Sequence, residues 1–230
     1  MHRPNDSFWG LLSEADQTAL RELARDCTFE PGNVLCTEFE QATHVFILVT
    51  GWVKVATITS GTRELMLGLR GSGDVVGELA GESDGFRTAT VQAIAPVRAL
   101  MLPHAEFNCF LDDHPGAGRA YRQMIVMRLG EIAEMLRGRS MSSGPQRLAA
   151  LLIDLGERHG IPGEGTIPLS QKEIASYIGA SRATVTRALA DWRRRGLIST
   201  SRQRITITNI ELLRRIAHKD QGSRTQPAAT

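Results

Sequence analysis

The stretch Ser170-Gln171-Lys172-Glu173-Ile174-Ala175-Ser176-Tyr177-Ile178-Gly179-Ala180-Ser181-Arg182-Ala183-Thr184-Val185-Thr186-Arg187-Ala188-Leu189 decides how the rest of the chain is read. Ser170 and Glu173 have the spacing of a capping box, in which each side chain takes the backbone N–H of the other residue. A helix therefore starts at Gln171. Ala175 is small where two helices must cross closely. Gly179 stands at the turn, where a positive φ costs glycine nothing. Ser181 caps a second helix, and Val185 and Leu189 read as its core positions. Two short helices joined in this way form a helix-turn-helix, whose second helix enters the major groove of duplex DNA by its N-terminal residues. Ser181, Arg182, Ala183, Thr184, Thr186 and Arg187 are left facing outward. Arg182 and Arg187 can each pair with O6 and N7 of a guanine. Ser181 and Thr184 suit phosphate or base-edge hydrogen bonds, as do Ser170 and Gln171 at the head of the first helix.

The residues that follow fit the same reading. After Gly196, the runs Leu197–Thr200 and Arg204–Thr208 form a two-stranded wing around Ser201–Gln203. Net charge is only +2, but its distribution is uneven: seven arginines (182, 187, 193, 194, 195, 202, 204) stand against one acid, Asp191, between Ser181 and Arg204. Such a face is the electrostatic footprint of a phosphate-binding surface. A solvated helix face is the bland alternative.

Upstream, Gln146–Arg158 has the apolar spacing of an amphipathic helix, with Leu148, Leu151, Leu152 and Leu155 on one side. Ser140–Gly144 is a small-residue break and the expected hinge. Before it, Tyr121, Ile125, Leu129, Ile132 and Leu136 recur at helical steps, predicting one long helix over 115–139. Its stripe is satisfied economically by a second copy across a two-fold axis, giving a homodimer; a core helix within one chain is the alternative.

From Val34 to Leu102 the pattern is different. Short apolar or alternating runs (Val45–Val49, Trp52–Ile58, Glu64–Leu69, Val75–Val76, Thr88–Ile94, Val97–Leu102) alternate with glycine turns, which predicts an antiparallel barrel or sandwich able to enclose a small ligand. A short helix within residues 8–27 opens the chain. The fold class is α+β: β-roll over 8–114, dimerisation helix over 115–139, winged helix-turn-helix over 140–217, disordered polar tail over 218–230.

Several classes are excluded. The first residues, MHRPNDSFWGLL, lack the apolar stretch of a secretory leader, and no run reaches the roughly 18–20 apolar residues of a membrane span; a cytoplasmic protein without a membrane partner is expected. Three cysteines at wide spacing form neither a disulfide framework nor a metal knuckle. The six histidines show no metal-ligand pattern, so no metal site is expected. No Ser/His/Asp set, phosphate-cradling glycine loop with lysine, or His/Glu set of a metal-dependent jelly roll is present, so neither catalytic residues nor enzyme activity are expected.

The string Ile-Gly-Ala-Ser-Arg-x-Thr-Val-x-Arg at 178–187, behind a β-roll and a long helix, resembles the cyclic-AMP receptor protein/Fnr superfamily of bacterial regulators over roughly residues 8–215. That resemblance implies a jelly roll with a dimerisation helix and winged helix, duplex DNA with a palindromic operator as partner, and RNA polymerase as a further candidate partner. It also gives meaning to Gly77-Glu78-Leu79-Ala80 and Arg87-Thr88-Ala89, which resemble the two halves of a phosphate-binding cassette. A bidentate arginine suits a cyclic phosphodiester, and N–H groups and a hydroxyl complete the anion shell. By this likeness Arg87, Thr88 and Ala80 hold the phosphate and Glu78 the ribose 2′-hydroxyl of cyclic AMP or another cyclic nucleotide; no cofactor is obligatory. A structural Glu78–Arg87 pair in a degenerate pocket is the alternative, giving ligand-independent DNA binding. A nucleotide-binding adaptor without DNA is a third reading, opposed by the intact recognition helix.

The chain departs from the family pattern in places. Ile132 and Ala133 stand where the receptor offers hydroxyls to adenine. Ala183 replaces a glutamate that accepts from cytosine N4, and can touch only a thymine methyl. Phe39 replaces a turn glycine. An iron–sulfur sensor needs four cysteines and is excluded. A haem sensor needs as little as one histidine, but His44, His104 and His114 read as surface or strand-end residues.

Overall fold

The computed structural model describes residues 7–58, 64–82, 85–158, 166–167, 169–201 and 204–218. The tail beyond His218, the loop 160–165 and the tip of the wing at 202–203 lie outside the described residues. The chain divides into two compact units, one ending at Gly130 and one beginning at Glu131.

The first unit opens with two helices, α1 (Phe8–Leu11) and α2 (Glu14–Leu23), capped by Ser7 and Ser13. Eight strands follow among the described residues: β1 (Arg25–Phe29), β2 (Val34–Cys36), β3 (His44–Thr50), β4 (Val53–Ile58), β5 (Glu64–Arg70), β6 (Val75–Val76), β7 (Thr90–Ala93) and β8 (Val97–Pro103). They form two antiparallel sheets, ordered β1-β8-β3-β6 and β2-β7-β4-β5. Side chains alternate across a strand, so each sheet turns one face to an interior. Phe46, Leu48, Val53, Val91 and Ala99 fill the space between the sheets. The other face of the first sheet, through Val45, Ile47 and Leu102, packs with Phe8, Leu20, Phe107 and Tyr121 from the helices.

Two helices close the unit: α3 (His104–Asp113), and the start of α4 (Pro115–Met141), whose 27 residues extend the expected helix by two. The stripe on α4 divides. Tyr121 is buried in the protomer's own core, its ring 5.7 Å from that of Phe107, and Ile125 packs partly on the same cluster. Leu129, Ile132 and Leu136 are exposed, as is Val126, which the stripe did not include. The break after α4 is short, leaving only Ser142 and Ser143 before α5 (Gly144–Arg158).

The second unit carries α5, β9 (Thr166–Ile167), α6 (Gln171–Ile178), α7 (Arg182–Arg194), the hairpin β10 (Ile198–Ser201) and β11 (Arg204–Ile207), and α8 (Ile210–Ala217). The hairpin is the expected wing, widened by β9, which pairs with β11. Asn209 caps α8, and Arg214 on α8 reaches Glu157 on α5 at 2.7 Å. No described helix is long and apolar enough to cross a membrane.

Candidate functional site

The helix-turn-helix forms as its sequence dictates. Glu173 N–H donates to the Ser170 hydroxyl at 3.2 Å, and Ser170 N–H donates to the Glu173 carboxylate at 2.8 Å. Gly179 ends α6 at φ 62°, ψ 42°, a left-handed conformation that costs a residue with a Cβ roughly 1–2 kcal/mol. Ser181 caps α7 through Thr184 N–H at 3.1 Å. Ile174, Ala175 and Ile178 on α6 meet the burial of Val185, Ala188, Leu189 and Trp192 on α7, which fixes the roll of the second helix about its axis.

That roll turns Arg182, Ala183, Thr186 and Arg187 outward. The guanidinium groups of Arg182 and Arg187 have no hydrogen-bond or ion-pair partner among the described residues, and both residues are exposed. The arginines beyond differ: Arg194 and Arg195 both lie 3.3 Å from the Asp191 carboxylate. The expected hydroxyl contacts are less free. Ser181 and Thr184 hydroxyls are 2.9 Å apart within the cap, and the Thr186 hydroxyl bridges Gln171 and the Arg182 carbonyl at 2.7 and 2.9 Å. Sequence reading missed Arg147 on α5. Its guanidinium donates to the Ile178 and Gly179 carbonyls at 2.7 and 3.2 Å and to the Ser142 carbonyl, tying the turn to the segment before α5.

The cassette residues of the first unit also come together, but they point inward. Gly77 has φ 82°, and a Cβ there would collide with Arg87 Nη1. Arg87, 7% exposed, donates to the Gly77 carbonyl at 2.6 Å and to the His44 carbonyl at 2.7 Å. Glu78, 3% exposed, is paired not with Arg87 but with Arg128 of α4, which also donates to the Val75 carbonyl. The structural Glu78–Arg87 pair weighed as the alternative is therefore not formed; Arg128, which the sequence reading passed over, supplies the cation. Ala80 is buried, whereas Leu79 and Thr88 are exposed.

Two further side chains adjoin this cluster. His104 Nε2 lies 2.9 Å from the Gly77 carbonyl, while its Nδ1 is buried without a partner. Burial holds the imidazole below its ordinary pKa, as does the nearby Arg87 charge. The Cys36 thiol is buried beside Gly77, and burial pushes it up to about 11, so it is a neutral packing group. Behind Arg87 runs the turn at Phe39, which adopts φ 67° and is 78% exposed. Phe39 N–H donates to the Arg87 carbonyl and Arg87 N–H to the Glu40 carbonyl, both at 2.9 Å. The Glu38 carboxylate takes the Thr57 hydroxyl and the Ile58 N–H. These bonds hold a strained residue in place.

A β-roll with a phosphate-type cassette, joined in one chain to a winged helix-turn-helix with outward arginines, defines a class: an effector-domain regulator of transcription. Residues 27–114 match the cyclic nucleotide-binding domain model, and 146–216 the Crp-like helix-turn-helix domain model. The chain is 30% identical over 215 residues to a CRP-like cAMP-activated global transcriptional regulator of Mycobacterium tuberculosis, covering 90% of this chain and 96% of that one. It is 30% identical over 189 residues to the global nitrogen regulator of Synechococcus elongatus, covering 79% and 84%. Its fold is similar to that of FixK2 from Bradyrhizobium japonicum (TM-score 0.76, 21% identity, 90% of this chain and 99% of that one). The chain belongs to the Crp/Fnr superfamily of DNA-binding transcription regulators, a family of regulators and not of enzymes.

Proposed function

We propose that this regulator reads a palindromic operator as a homodimer, with Arg182 and Arg187 of each copy pairing with guanines, under control of a cyclic nucleotide held by the cassette. The observation that carries the DNA half is the pair of guanidinium groups, without a partner among the described residues, on the first turns of a capped helix whose roll is fixed by its core. Gln171 and Ser170 stand at the head of α6, where backbone N–H groups and polar side chains meet phosphates. Ala183 offers only a methyl, so the half-site differs at that position from one read by glutamate. The dimer rests on Val126, Leu129, Ile132 and Leu136, an exposed apolar face on a helix of 27 residues, which suits pairing with the same face of a second copy. Two recognition helices about 34 Å apart then meet successive major grooves. The protein works in the cytoplasm, with RNA polymerase as the partner of its operator-bound form.

A cyclic nucleotide fits the cassette's donor set. Arg87 lies against the Gly77 carbonyl in a glycine-only cradle, Thr88 presents an exposed hydroxyl beside it, and Glu78 is a buried acceptor. The similarity to a cAMP-activated relative supports cyclic AMP. Ile132 and Ala133 carry no side-chain hydrogen-bonding group, so the proposed effectors include cyclic GMP as well as cyclic AMP. The effector supplies a negative charge between the two cassette halves. It biases the two-state orientation of the winged helices through the break at 142–143 only as far as it binds the two states differently.

A second reading, ligand-independent DNA binding, is favoured by one observation: Arg87 and Glu78 are already satisfied by the His44 carbonyl, the Gly77 carbonyl and Arg128. Calorimetry with cyclic AMP and cyclic GMP separates the two. Heat with either nucleotide, lost in Arg87→Gln, supports effector control. No heat with either at saturating protein supports the second reading.

A further inference from the structure

A groove of about 640 Å³ runs beside the recognition helix, between the head of α6 and the wing. Its floor is apolar, through Leu189 and Ile205, and its rim is cationic, through Lys172, Arg182 and Arg193. Each of these three cations is exposed and has no ion-pair partner among the described residues. No acidic side chain lines the groove among the described residues. The two acids nearest in sequence are already engaged: Glu173 takes the Ser170 N–H, and Asp191 takes Arg194 and Arg195. Of the three consecutive arginines at the end and C-cap of α7, Arg193 alone has no ion pair among the described residues, and it lines this groove.

Arg182 belongs both to this rim and to the base-reading turn, so whatever fills the groove is continuous with the DNA that Arg182 reads. A polyanion is the complementary occupant, and a run of phosphates is the only part of a duplex that presents charge without sequence. We propose that Arg193, with Lys172 across the groove, clamps the phosphate backbone of DNA flanking the base-read positions, and so acts as a sequence-independent positioning residue. The inference rests on the DNA reading above, and it extends the footprint beyond the α7 N-terminus. Thr200 and Ser201 of the wing close the far wall of the groove.

The test uses the full chain and two duplexes: the site recovered by selection from random-sequence DNA, and an unrelated duplex of equal length. Dissociation constants are measured across a salt series for wild type, Arg193→Gln, Arg193→Lys and, as a remote charge control on β8, Arg98→Gln. Neutralising one phosphate contact lowers the slope of log K against log salt by about 0.9, so Arg193→Gln should flatten it by ~1.8 for a dimer. Both duplexes should be weakened by the same factor, so sequence preference survives. Arg193→Lys should restore the slope, and Arg98→Gln should leave it unchanged. An unchanged slope in Arg193→Gln, with wild-type selectivity intact, overturns the clamp and leaves the DNA reading standing. A loss of affinity confined to the selected site would make Arg193 a base reader and also overturn it. Absence of any selected site for wild type, with and without cyclic AMP, overturns both readings.

Discussion

The two functional regions handle the same side chain in opposite ways. Arg87 in the β-roll is buried and donates to two backbone carbonyls, whereas Arg182 and Arg187 on α7 are exposed and their guanidinium groups have no partner among the described residues. The difference follows from where each site sits. A small-ligand pocket lies inside the fold, where an unpaired charge costs several kcal/mol, so its polar groups must be satisfied by the protein itself. A DNA-reading surface stays in water, which solvates its charges at little cost until the duplex replaces it. Substitutions in the cassette should therefore be felt first as lost stability, and substitutions on α7 as lost binding with stability unchanged.

The largest effect that would sharpen this contrast is at Arg128. Arg128→Met leaves the Glu78 carboxylate buried without a cation, and truncating one partner of a buried pair costs about 3–5 kcal/mol. Thermal unfolding should show the β-roll transition moving down, and adding Glu78→Gln should recover much of the loss. A double variant no more stable than the single one would break the claim that the pair is a coupled unit. On the other side, Arg182→Ala or Arg187→Ala should cost about 1–3 kcal/mol of base discrimination per half-site, measured by titration of the selected duplex. Their unfolding temperatures should match wild type.

Smaller effects probe the frame of the pocket. Phe39→Gly removes a left-handed strain of roughly 1–2 kcal/mol. Part of that gain is offset by the looser unfolded chain of glycine, so the net stabilisation is on the order of 1 kcal/mol, readable by urea titration. The smallest effect is a pH dependence at His104. Its folded pKa lies below the ordinary 6.5, so below pH 6.5 the unfolded chain takes up a proton that the folded chain resists. Stability contributed by the neutral imidazole is thus present above that value and is lost as pH falls toward the lowered folded pKa. His104→Gln should flatten the stability profile in that window, and an unchanged profile would show that the imidazole is not held neutral.

The same inside–outside division decides what was legible in the sequence. The helix-turn-helix is written in local signals: a capping box at 170–173, a left-handed glycine at 179 and a serine cap at 181, each acting within a few residues. Those signals placed the outward arginines correctly. The cassette motif singled out Glu78 and Arg87, both of which are buried, but not their partners. Arg128 is 50 residues from Glu78, and nothing in its own neighbourhood marks it; the signal that could have found it is the demand of a buried Glu78 for a cation. Tyr121 was assigned to the dimer stripe because helical spacing alone does not tell which end of a long helix leans on its own core. The helix α3 went unread because Pro103 at its head offers no side-chain cap. The strand β1 went unread because its sequence, RDCTF, lacks the apolar alternation of a strand with one buried face. Phe39 was visible as an oddity, and its φ of 67° is a conformation that glycine adopts without cost.

The most direct test of the account compares affinity for the selected duplex with affinity for an unrelated one, at fixed salt, for wild type and an Arg182→Ala/Arg187→Ala double variant of the full chain. This ratio should fall by at least ~10-fold while the unfolding temperature stays at the wild-type value. A ratio unchanged from wild type would contradict it, because the specificity would then reside in side chains other than the two arginines.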